Sequence, residues 1–151
     1  MRARTTATTC RSASRRTGPR LIRRPLRRLK RAAKVLGSDS PDTEWHAVRI
    51  RAKRCRYAAE AVAPVCGRQA YRFAAAIAAV QDILGDHQDT VVAEAWLRAN
   101  GAALSPACVA AGELIAAQRR ERTRLRSKWP KAWKRASAKK LRRWILRAHV
   151  M

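Results

Sequence analysis

The sequence predicts an all-α chain, an antiparallel helical bundle with basic tails. Three observations carry this reading. There is no sustained period-two alternation, and the only Asn-Gly, at Asn100-Gly101, lacks alternating apolar flanks, so no strand or hairpin is signalled. Apolar residues instead recur every three or four positions through three long stretches. Those stretches are punctuated by Ser-Pro, Gly and Asn-Gly, the signals that start and stop helices.

Taken in order, residues 1–20 are rich in Arg, Ser and Thr without acids or periodicity, and they read as a disordered basic tail. The same composition fits an organelle transit peptide. The irregular chain gives way near Pro25, where Leu26, Leu29, Ala33 and Leu36 make a short helix ended by Gly37. Ser40 and Pro41, with Asp42 and Glu44 in the first turn, start the next helix through capping, the fixed proline φ and the helix dipole. It runs to about Val65, with Pro64 straining its last turn and Gly67 stopping it. Val48, Ala52, Cys55, Ala59 and Val62 form its buried stripe.

A second long helix spans residues 68–99, with Phe73, Ile77, Val80, Leu84, Val91 and Ala95 as its apolar stripe. Gly85 within it costs about 1 kcal/mol relative to Ala and marks a close helix approach or a bend. Ser105-Pro106 starts a third helix that ends near Lys128, before Pro130. Its facing positions are Cys108, Ala111, Ile115, Gln118, Arg122, Leu125 and Trp129. Short connections favour antiparallel packing, giving one folded unit over 21–145 and a C-terminal tail over 146–151.

Composition sharpens the picture. Among 151 residues there are 35 Lys and Arg against 10 Asp and Glu, a formal net charge of +25. Leu, Ile, Val and Phe number only 27, below the share of roughly 20% under which a highly charged chain is flagged as disordered, so a small helical core with long polar ends is expected. The charge is asymmetric: residues 1–37 hold 13 cations and no acid, residues 105–151 hold 14 cations and two acids, and residues 38–104 carry eight of each. No apolar run approaches the roughly 20 residues needed to cross a bilayer, and no apolar h-region marks a secretory signal. Cys10, Cys55, Cys66 and Cys108 form no C-x-x-C pair, and Cys55 and Cys66 lie about 16 Å apart along one helix, so reduced cysteines in a cytoplasmic protein are expected. His46, His87 and His149 have no Cys or His partner at metal-ligand spacing.

The most informative surface lies on the helix from residue 42. Its polar face carries His46, Arg49, Lys53, Arg56, Tyr57 and Glu60, a ladder of donors with a pitch of about 6 Å. Five cations stand within eight residues before the acid at Glu60, whereas an ordinary solvated face mixes signs at i and i+4. Such a row suits a linear polyanion, because Arg offers planar multi-donor contacts to phosphate oxygens and Lys a flexible point charge. Arg51 and Arg54 lie toward the sides of the same helix. On the following helix Asp82, Asp86 and Asp89 share a face, and they are expected to pair with those cations and orient them rather than perform chemistry.

Trp45-His46-Ala47-Val48-Arg49-Ile50-Arg51-Ala52-Lys53-Arg54-Cys55-Arg56-Tyr57, followed by Leu84-Gly85 and Asp89, resembles the CHAD domain, the conserved-histidine α-helical domain. The combined pattern is H-x-x-R-[IV]-x-x-K-R-x-R-Y, then L-G-x-x-x-D about thirty residues later. The resemblance implies that His46 is the histidine that names the family and that Arg49, Lys53, Arg54, Arg56 and Tyr57 belong to its basic helix. It further implies an all-helical fold of two similar halves around a basic cavity, binding of inorganic polyphosphate, and for some members an association with polyphosphate granules. The pattern occurs once here, so residues 21–145 resemble the second half of the domain. A second subunit or partner supplies the other half, the reading frame is truncated, or the chain folds poorly.

Further anion contacts are expected from Arg119, Arg122 and Arg126. Trp129, Trp133 and Trp144 interleave with the C-terminal cations, a pattern that either stacks the bases of single-stranded nucleic acid or packs the end of the bundle. The leading functional expectation is non-catalytic polyphosphate binding without a metal or cofactor, and the alternative is nucleic-acid binding by the basic ends. An enzyme acting on phosphate anhydrides is disfavoured, since the E-x-E-x-K pattern of triphosphate-tunnel enzymes, an evident nucleophile and a metal cage are all missing from the sequence.

Overall fold

The computed structural model describes the backbone of residues 3–101 and 108–147 and the side chains of 17–101 and 109–146; Cys10, Cys108 and His149 lie outside those side chains. Five helices follow one another: α1 (Ala3–Val35), α2 (Asp42–Cys66), α3 (Arg68–Gly101), α4 (Cys108–Ala136) and α5 (Lys139–Arg147). No strand occurs among the described residues, and the chain is all-α. Helix α2 packs against both α1 and α3, α3 also packs on α4, and α5 rests against α1 and α3. No described helix is long and apolar enough to cross a membrane.

Helix α1 departs from expectation. Instead of beginning at Pro25, it starts at Ala3 and runs through Pro19 and Pro25. The tertiary reason is visible in its buried stripe, since Ile22 lies upstream of Pro25 yet joins Leu26, Leu29, Ala33 and Leu36 in the core. Farther back, Gly18 lets α1 approach α2 closely, because a Cβ there would lie 2.7 Å from Cys66 Sγ. Burial of this stripe outweighs the backbone hydrogen bonds that the prolines cannot donate.

The turn from α2 to α3 follows the sequence reading. Gly67 adopts φ 72°, a left-handed value that suits glycine, and its N–H donates to Ala63 O at 2.8 Å. The start of α2 differs in detail: Pro41 takes the N-cap position, and the Ser40 hydroxyl accepts from the Gly37 N–H at 3.1 Å rather than capping the helix. The expected α2 stripe of Val48, Ala52, Cys55, Ala59 and Val62 is buried, and Trp45 joins it at 1% exposure. Burial pushes the Cys55 thiol up to about 12, so it behaves as a small apolar core residue.

On α3 the stripe holds from Phe73 to Leu84 and then shifts. Val91 is half-buried and Ala95 exposed, while His87, Thr90 and Glu94 are buried. The last part of α3 has exchanged its apolar partner α2 for a polar one, the arginines of α4. Gly85 meets nothing within 4 Å of an added Cβ, so it marks no close approach.

Helix α4 continues past Lys128 and Pro130 to Ala136. Trp129 and Trp133 stack at 5.7 Å on either side of Pro130 and Ala136 is buried, which holds the segment helical despite the proline. After a turn in which Ser137 N–H donates to Trp133 O, α5 returns to the core through Ile145 and through Trp144 against Phe73 at 6.5 Å. Arg23 of α1 receives its end, donating to the carbonyls of Ile145 at 3.1 Å and Leu146 at 3.3 Å.

Candidate functional site

The cations fall into two groups, those bound within the protein and those facing solvent. The first group forms a clasp around Asp42 at the start of α2 and Glu94 of α3. Arg126 Nη2 donates to Asp42 Oδ1 at 2.6 Å, and Arg122 donates to Asp42 Oδ2 at 3.2 Å and Glu94 Oε2 at 2.8 Å. Arg122 also bonds the hydroxyl and carbonyl oxygens of Thr90. Arg119 and Arg98 complete the set on Glu94 Oε1. Burial pushes the Glu94 carboxyl up, but hydrogen bonds from Arg98, Arg119 and Arg122 outweigh it and hold the carboxyl below its usual range.

His87 sits under this clasp at 1% exposure, stacked on Trp45 with ring centroids 4.7 Å apart. Arg126 Nε donates to His87 Nε2 at 3.2 Å, which requires that nitrogen to be unprotonated. Burial and the Arg126 charge lower the imidazole to about 4, with Asp42 opposing them. Arg122 and Arg126, expected as anion contacts, are therefore spent on internal bonds. Arg119 shares Glu94 but remains more than half exposed.

The expected acidic partners are not the ones used. Asp82, Asp86 and Asp89 are exposed, and none joins an ion pair among the described residues. Asp82 acts on Arg56, and Asp86 on Arg124, only at longer range. A helical wheel groups these carboxylates correctly, but their face points to water, whereas Asp42 and Glu94 face α4.

The α2 ladder divides between two flanks. On the flank beside α3, His46 is exposed and its Nδ1 lies 2.8 Å from the side-chain amide of Gln88. Arg49 is half-buried and its Nε is buried without a hydrogen-bond partner. Lys53 lies 5.7 Å over the ring of Tyr57, whose own surface is half exposed. Arg56 is bound to Glu60 at 2.7 Å, the i,i+4 pair that raises its pKa.

On the other flank, Arg51 and Arg54 turn toward α1. With Arg24, Arg28 and Arg31 they line a groove of about 680 Å³, floored by Pro25, Ala32, Ala47 and Ile50. Arg51 is steadied by donating to Ala47 O at 2.8 Å. Five guanidiniums thus line one groove, and no carboxylate is among its lining residues. Arg24, Arg28 and Arg31 were absent from the sequence-derived site because the short helix expected around them was read only for its apolar stripe. Their i, i+4, i+7 spacing is the signal that places them on one helical face.

The interleaved tryptophans are committed to packing. Trp129 is buried and meets Trp45 at 5.8 Å, Trp133 stacks on Trp129, and Trp144 meets Phe73. Trp144 also donates Nε1–H to Leu141 O at 2.9 Å.

A family model for the CHAD domain matches residues 2–98, which span α1, α2 and most of α3. The match therefore contains both walls of the arginine groove and begins well before residue 21, and it ends before α4 and α5 rather than near residue 145. No curated protein and no solved structure gives a significant match. The match covers more than half of the chain and takes in its basic helix and both walls of its arginine groove, and the chain belongs to the CHAD-domain family.

Proposed function

We propose that the protein binds inorganic polyphosphate without turning it over, in the arginine groove between α1 and α2. CHAD domains are associated in general with polyphosphate binding. The observation that carries the reading here is the convergence of Arg24, Arg28, Arg31, Arg51 and Arg54 on one groove with no carboxylate to neutralise them. Guanidinium pairs give two-point hydrogen bonds to phosphate oxygens, and a linear polyanion repeats those oxygens along its length. Lys53, Arg49 and His46 on the opposite flank of α2 extend the field and offer secondary contacts. The same reading makes attachment to polyphosphate granules a consequence of binding.

The test is a pair of charge-matched variants. Arg28→Ala with Arg54→Ala removes two exposed groove cations, and Arg120→Ala with Lys131→Ala removes two exposed cations of α4. The groove variant is expected to weaken binding of long-chain polyphosphate by about tenfold, and the α4 variant by less than about threefold. Equal losses would assign the binding to bulk charge and overturn the proposal.

A further inference from the structure

A second cavity, of about 670 Å³, runs along the other side of α1, between it and α5. On α1 its lining extends from Arg20 to Lys34, a span of about 21 Å at the helical rise, and α5 contributes Arg142, Ile145 and Leu146. No carboxylate is among its lining residues. The junction brings together two helices that contain no acid at all, α1 and α5, so their association rests on apolar contacts and not on charge pairing. Buried Ile145 and the Arg23 bonds to the last carbonyls of α5 hold the cations in place against their repulsion. Lys30 registers that crowding, since burial and the Arg142 charge lower its ammonium below the usual lysine range.

The two cavities flank one ridge of α1. Arg24 and Arg31 line both of them, two helical turns apart on the ridge of α1. We infer that the trough between α1 and α5 is a second polyphosphate segment, continuous with the α1–α2 groove across α1, so that long chains occupy both and short chains only the groove. This rests on the polyphosphate reading of the groove and goes beyond it, because α5 lies outside residues 2–98 and the trough is a feature of this chain's own C-terminal helix. The built-in consequence is selection by chain length: a ligand that spans the ridge gains the trough contacts as an intramolecular event.

The experiment measures affinity of the full chain for tripolyphosphate and for long-chain polyphosphate at two salt concentrations. The trough variant combines Arg20→Ala, Arg27→Ala and Lys34→Ala, all exposed positions that line the trough and not the groove. It should weaken long-chain binding by about tenfold and lower the slope of log affinity on log salt by roughly two, while tripolyphosphate affinity stays within about twofold. A control removing three α4 cations, Arg120→Ala, Lys128→Ala and Lys131→Ala, should change long-chain binding by less than about threefold.

Long-chain affinity unchanged in the trough variant, with loss in the Arg28→Ala, Arg54→Ala groove variant, overturns the trough and leaves the groove standing. Loss in the trough variant no larger than in the α4 control overturns it as well. Failure of the unmodified chain to bind either ligand overturns both readings. Displacement of long-chain polyphosphate by poly-glutamate at matched charge, lost in the trough variant alone, would reassign the trough to an acidic polypeptide and so overturn its polyphosphate role.

Discussion

His87 shows how one side chain fixes the state of its surroundings. It is buried against Trp45 and accepts from Arg126, so it must stay neutral to keep the Arg126 hydrogen bond. Its folded value of about 4 lies below the 6.5 of an unperturbed imidazole. In that window the unfolded chain binds the proton first, so the stabilisation is fully present above pH 6.5 and is lost as pH falls through 4. The loss amounts to about 3 kcal/mol. Glu94, whose carboxyl is held below 4.5, adds a loss of the same sign that begins as pH falls below 4.5. Urea midpoints measured between pH 7.5 and pH 4.5 should therefore fall with pH, and His87→Phe should flatten that fall while lowering the midpoint at pH 7.5. An unchanged slope in His87→Phe would show that the imidazole is not the titrating group.

Among the elements, α4 is tied to α2 and α3 by the clasp of Arg122 and Arg126 on Asp42 and Glu94. Removing Arg122 leaves Glu94, which is 8% exposed, and Thr90 short of a donor, so Arg122→Ala should cost about 3 kcal/mol in chemical unfolding. Asp86→Ala, at an exposed carboxylate with no ion pair among the described residues, should fall within about 0.5 kcal/mol of the parent. Reversed magnitudes would restore the acidic cluster of α3 as the helix-pairing device. The contrast also shows what a sequence can and cannot tell. The stop at Gly67 and the stripes of α2 and early α3 were legible because a local φ requirement and a single packing partner set them. The ends of α1 and α4 were not, because Pro25 and Pro130 are overridden by contacts of Ile22 and Trp133 that only the assembled bundle provides. The stripe of α3 fails after Leu84 for a related reason, since the helix changes neighbours there and a wheel carries no record of which neighbour comes next.

At the scale of the molecule, a net charge of +25 makes the folded state self-repelling, and only ten carboxylates are present to offset it. The structure spends two of them, Asp42 and Glu94, on the clasp and leaves the grooves beside α1 without any among their lining residues. Half of the candidate site, Arg51 and Arg54 with the ladder of His46, Arg49 and Lys53, was legible from the spacing on α2. The other half, Arg24, Arg28 and Arg31, was missed because the helix expected there was read for its apolar stripe and its packing against α2 was not foreseen. Charge alone does not separate a shaped polyphosphate site from a generic polycation, because both release counterions and both weaken with salt.

The deciding measurement is a competition titration in which labelled long-chain polyphosphate is displaced by unlabelled polyphosphate or by DNA, matched in phosphate concentration and run at low and high salt. Arginines converging on a groove, with the aromatic rings of Trp129, Trp133 and Trp144 packed away from any base, predict a preference for polyphosphate that persists at the higher salt. Equal displacement by DNA at both salt concentrations would contradict a shaped polyphosphate site and reduce the protein to a non-selective binder of polyanions.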